Sequence, residues 1–130
     1  MLHPNQFDVN EAWIAFRLNR APVQTEEDGE FNCIALMDAA SLFILGTELV
    51  PVSAAEPIQR EYRRLLKNAQ SHRAELPKSL FLPREEVVDA LADEATLQGI
   101  DVVRVSENEL LIFTREARQE FAKHFEENSC

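Results

Sequence analysis

One carboxylate stands inside the most apolar stretch of the chain. Asp38 lies within Phe31–Val50, FNCIALMDAASLFILGTELV, and Ser41 follows three positions later. Asp and Ser are turn residues whose side chains bond nearby backbone groups, so their simplest role is to cap the loop between two strands. A carboxylate at a strand end can also face a metal or a ligand. Metal-assisted phosphoryl transfer requires several such groups to converge on ions roughly 3.5–4 Å apart. Asp38 is thus the candidate metal ligand. Otherwise the residues imply no cofactor.

A second chemistry is anion binding. Arg60, Arg64 and Lys67 recur at helical spacing and share one face. With Arg63 they form the one basic block, and its ordinary use is a solvated face that pairs with the acidic remainder or with a partner. Glu26, Glu27, Asp28 and Glu30 are clustered, yet they lack the alternating oxygen-ligand spacing of a calcium loop. His3, His72 and His124 fall in a loop and near helix ends, and no Ser-His-Asp or Cys-His pattern can be placed on them. Cys33 and Cys130 have no second cysteine or histidine at metal-ligand spacing and read as unpaired thiols.

The elements that must position these residues follow from periodicity. The positions 32–37 and 42–50 read as an antiparallel pair of buried strands, with Gly46 as a bulge or close approach and Pro51 as the stop, and a helix through 33–45 competes because Ala, Leu and Met are good helix formers. Val9, Ala12, Trp13, Phe16 and Arg17 fall at helical spacing, so 9–18 is expected to be a helix with Trp13 as a core anchor; a strand competes. Ala21–Glu30 reads as a loop, and 1–8 and 126–130 as loosely held ends. Ser53 and Glu56 make a capping box ahead of a helix whose apolar face is Ile58, Tyr62, Leu65, Leu66 and Ala69. Ser79–Leu82 is a short strand. Pro83 is expected to open the next helix, with Val87, Val88, Leu91, Ala92 and Ala95 buried and Gly99 as its stop. Ile100–Val105 is then a strand parallel to the first, giving a right-handed βαβ unit. Ser106 and Glu109 repeat the capping-box spacing before a last helix carrying Leu110, Phe113, Ala117, Phe121 and Phe125. Pairing of 110–113 as a strand is the alternative. The fold class is α/β (α+β), a mixed sheet with an antiparallel hairpin and a parallel βαβ unit, flanked by helices in a single domain.

The chain of 130 residues carries a net charge of −10, unevenly spread. Residues 1–50 hold eight acids and two bases, 51–83 three acids and six bases, and 84–130 twelve acids and five bases. Such a surface repels phosphate backbones at long range and argues against nucleic acid as a partner. No apolar run approaches the roughly 18–20 residues that span a bilayer, and no signal-peptide pattern opens the chain, so no membrane partner and a cytoplasmic location are expected.

LMDAASLFILG (36–46), LPKSLFLPREE (76–86) and LQGIDVVRVS (97–106) together resemble the ribonuclease H-like fold, and within it the integrase and transposase cores. In those, a first strand ends near an Asp, a Ser follows, the next strand carries a Gly, and a later strand ends in a second acid. The resemblance implies that Asp38 takes the first position. At the second, Pro83 and Arg84 stand where an acid is expected, leaving Glu85 or Glu86 as substitutes. The third would come from Glu109, Glu116 or Glu120, so the resemblance implies Asp38, Glu85, Glu86 and Glu109 as candidate catalytic acids, with Mg²⁺ or Mn²⁺ as the ion, in a degenerate member. The expected function is a non-catalytic interaction or self-associating module, with a protein partner or a second copy of the chain as in a dimer. The alternative is a Mg- or Mn-dependent nuclease or phosphoryl-transfer enzyme using Asp38 and nearby acids.

Overall fold

The computed structural model describes residues 2–19, 23–25, 29–51, 58–73, 75–85 and 89–128. Six strands and three helices follow in order: β1 (Ala12–Arg17), β2 (Val23–Thr25), β3 (Gly29–Asp38), β4 (Ile44–Pro51), α1 (Ile58–Arg73), β5 (Ser79–Pro83), α2 (Asp89–Leu97), β6 (Asp101–Val105) and α3 (Glu107–Asn128). All strands join one mixed sheet. β1 pairs antiparallel with β3 and parallel with β5, which pairs parallel with β6. β4 lies against β3, antiparallel, and β2 pairs with the start of β3.

The expected hairpin is β3 and β4. Its register shifts between Leu36 and Met37, so Leu45 bulges next to Gly46. Gly46 leaves room on its helix side: an added Cβ would lie 3.5 Å from Leu65 Cδ1.

Residues 12–17 are a strand, not the expected helix. Ala12, Trp13, Ile14, Ala15 and Phe16 are all buried. A strand covered on both faces buries consecutive residues, and that pattern overlaps helical spacing over so short a run. Trp13 is nevertheless the core anchor expected of it. The loop expected at 21–30 contains β2, and β3 begins at Gly29, whose φ is +86°. In the lead, a 3-10 turn spans Pro4–Gln6, and the Phe7 ring packs edge-on to Phe81 at 5.6 Å.

α1 and α2 cover one face of the sheet, burying Tyr62, Leu65, Leu66, Leu91 and Ala95 against Trp13, Leu36, Leu80 and Leu82. α3 covers the other, where Leu110 and Phe113 meet Ile14, Phe16, Ala35 and Met37. The capping box at Ser53 and Glu56 lies outside the described residues. Pro83 does not open a helix. It ends β5, paired with Val105, and α2 begins at Asp89; a proline is tolerated at a strand end, where its missing donor costs little. Gly99, at φ +84°, turns the chain from α2 into β6, and Ile100 N–H closes the turn onto Ala95 at 3.0 Å. The βαβ unit is present as expected. Residues 110–113 belong to α3, which starts at Glu107 with Ser106 capping Asn108 N–H at 3.3 Å. Among the described residues, no helix is long and apolar enough to cross a membrane.

Candidate functional site

Asp38 closes β3 directly opposite Trp13 and is fully buried. Its carboxylate accepts three hydrogen bonds. Asn10 N–H donates to Oδ1 at 2.7 Å, while Ser41 N–H and Ser41 Oγ donate to Oδ2 at 2.9 and 2.6 Å. The backbone of Asp38 also pins the turn, accepting from Leu42 N–H and donating to the Phe43 carbonyl, both at 2.9 Å. Asn10 extends the network: its Oδ1 accepts from the Trp13 indole at 2.8 Å, and its Nδ2 donates to the Glu75 carbonyl at 3.1 Å. One carboxylate thus ties together the lead, the β3–β4 turn and, through Asn10, the connector before β5. Asn10 and Leu42 both hold positive φ, +66° and +62°.

At the other edge of the sheet, where β1, β5 and β6 end, Arg118 is the organising group. Its Nε donates to the Arg17 carbonyl at 3.0 Å, its Nη2 pairs with Glu107 at 2.9 Å, and its guanidinium lies 5.6 Å from the centre of the Phe16 ring. Glu107 and Arg118 are eleven positions apart, close to three helical turns, and so share a face of α3. Glu85 belongs to this edge: its Oε1 accepts from Glu107 N–H at 2.9 Å, a carboxylate at the positive end of α3.

The structure does not bring Asp38 together with Glu85 or Glu109. Asp38 pairs with Trp13, and Trp13 with Leu80. β3 and β5 are two strand spacings apart, about 10 Å, and the rise from Leu80 to the end of β5 adds about another 10 Å at right angles before Glu85 is reached. Glu109 lies in the first turn of α3 at that same far edge. Glu116 and Glu120 are exposed on α3, and Glu86 lies outside the described residues. Among the described residues, no group of three metal-ligating side chains converges.

The basic face of α1 is exposed as expected, but its arginines are engaged. Arg63 pairs with the buried Glu94 of α2 at 3.0 Å. Arg64 forks onto Glu48 of β4, whose hydrogen bond and charge raise the guanidinium pKa further. Arg60 and Lys67 make no ion pair among the described residues. On β3, burial pushes the Cys33 thiol up from its ordinary range, and the charge of Glu48 adds to the effect.

No family model matches the chain. Nor does any curated protein. Solved structures do. A chain of the simian T-cell lymphotropic virus intasome in complex with PP2A regulatory subunit B56 gamma aligns over 92% of this chain at TM-score 0.57 and 12% identity. The catalytic core domain of BIV integrase aligns over 93% at TM-score 0.53 and 8% identity. This chain spans 42% of the first and 74% of the second. The fold is ribonuclease H-like. Within that class its likeness is to retroviral integrase cores, as the three sequence segments implied. One point of that correspondence shifts. Asp38 ends β3, whereas the strand that opens the sheet and lies parallel to β5 is β1, whose residues Ala12–Arg17 include no acid.

Two residues at these sites carried no sequence signal of their role. Asn10 was legible only as an Asn three positions before Trp13, a residue type that tolerates positive φ. Arg118 looked like any cation on an exposed helix face.

Proposed function

We propose that this ribonuclease H-like domain is a non-catalytic module that acts by protein–protein contact, including contact with its own copies. The observation that carries this reading is the dispersal of its carboxylates. Asp38 is committed to three donors that hold the fold together, and Glu85 and Glu109 stand at the far edge. Two-metal phosphoryl transfer needs convergent acids, and at Asp38 three of about four lone-pair sites already accept hydrogen bonds while no second acid converges on it among the described residues.

Size-exclusion chromatography with light scattering, over a hundredfold range of protein concentration, tests the reading. Mass above that of one chain, rising with concentration, is expected. A chain that stays monomeric throughout and pulls down no partner from lysate would count against it.

A further inference from the structure

We propose that the apolar, acid-flanked edge around Asp38 docks on the basic face of α1 in a second copy of this chain. The inference rests on the module reading above and names the partner for it.

The edge in question is where β3 ends and where β1, β5 and β6 begin. Two of its loops project large apolar side chains into solvent, Val9 at 58% exposure and Phe43 at 50%. Each adjoins a residue held at positive φ, Asn10 after Val9 and Leu42 before Phe43. For a leucine that conformation is a genuine strain, and such strain persists only where surrounding structure enforces it. Asp38 is what enforces it, through Asn10 N–H, Leu42 N–H and the Phe43 carbonyl. A single buried residue therefore fixes two turns, its carboxylate through Asn10 and Ser41 and its backbone through Leu42 and Phe43, and their visible product is a pair of exposed apolar knobs.

The charge around the knobs selects the occupant. Asp8, Glu75 and Asp101 are exposed along this edge, with Lys78 the one exposed base among the described residues there. The complement on this chain is α1, where Arg60, Arg63, Arg64 and Lys67 are all exposed on a protein of net charge −10. Arginine planes also stack on aromatic faces, which gives Phe43 a seat on that surface. The edge and α1 are different patches, so the contact is head-to-tail and each copy keeps one unused half. Such an interface can be complemented.

Two variants supply the test, both at exposed positions: Phe43→Ser, which spoils the edge, and Arg60→Glu with Lys67→Glu, which spoils the face. Circular dichroism and melting confirm that each is folded. Each alone should associate at least tenfold more weakly than wild type by light scattering. Mixed together they should form a 1:1 heterodimer that grows no further, because the second contact of that pair is dead on both sides. If wild type associates but neither variant weakens it, this contact is wrong while the self-association reading stands. If both variants are impaired and the mixture stays monomeric, the edge does not meet α1 and the head-to-tail contact is overturned. A wild type that is monomeric at every concentration removes both.

Discussion

Asn10 and Asp38, 28 positions apart, meet through one short hydrogen bond, Asn10 N–H to Asp38 Oδ1 at 2.7 Å. Around that bond the strand β3, the lead before β1 and the β3–β4 turn take their places. The carboxylate is an internal acceptor for three donors, two of them backbone amides of partly buried turns.

Replacing Asp38 should therefore cost stability first. In Asp38→Asn the amide must point its NH₂ at either Asn10 N–H or Ser41 N–H, setting donor against donor. The expected loss is about 2–3 kcal/mol. Ser41→Ala removes only the hydroxyl bond and should cost about 1 kcal/mol. Urea unfolding of the two variants checks the order. Equal losses would show that Asp38 carries no more of the network than one hydroxyl does.

Asn10 separates conformation from hydrogen bonding. Its φ of +66° suits glycine and strains alanine. Asn10→Gly and Asn10→Ala lose the same side-chain bonds to Trp13 and Glu75, so their difference reports the backbone alone. Alanine should be the worse by about 1 kcal/mol in chemical denaturation. Parity between them would mean that the turn relaxes out of the left-handed region.

Much of this fold was legible in the chain, and the exceptions share a cause. The hairpin, the βαβ unit and the last helix announce themselves through alternation, the Gly99 stop and cap spacing, all local signals. β1 does not. Its burial on both faces comes from α1 and α2 on one side and α3 on the other, and nothing in AWIAFR encodes those neighbours. Pro83 misled for a related reason: helix starts and strand ends tolerate proline equally. The site divides the same way. Asp38 stood out as a charge within an apolar run. Its distance from Glu85 depends on strand order and direction: β3 runs antiparallel to β1 and β5, so the two acids follow strands that end at opposite ends of the sheet.

Cys33 gives a pH prediction. Burial raises the thiol pKa in the folded protein, with Glu48 adding to it, so the folded state holds the proton more tightly than the unfolded chain does. The associated stability is fully present below the unfolded value of about 8.5 and is lost as pH rises past it toward the higher folded value. In a Cys130→Ser background, unfolding between pH 7 and 10 should show the Cys33 protein losing stability above about pH 8.5 relative to Cys33→Ala. Parallel pH profiles would refute a thiol that is harder to ionise when folded.

Divalent metal decides between the module and its enzymatic alternative. A ligand that binds only the folded state raises stability by RT ln(1 + [L]/Kd), about 2.7 kcal/mol at a hundredfold excess over Kd. A competent site for Mg²⁺ or Mn²⁺ would thus reveal itself as a clear rise in melting temperature at millimolar metal. The oxygens of Asp38 already face Asn10 and Ser41, and one of its proposed companions, Glu85, caps α3 at the far edge. Metal is accordingly expected to leave the melting temperature within about 1 °C, a shift well below what that linkage gives. The lower melting point of Asp38→Asn should be equally indifferent. A metal response in wild type that Asp38→Asn abolishes would place an ion at this carboxylate, and the network drawn around it would have to open to admit one.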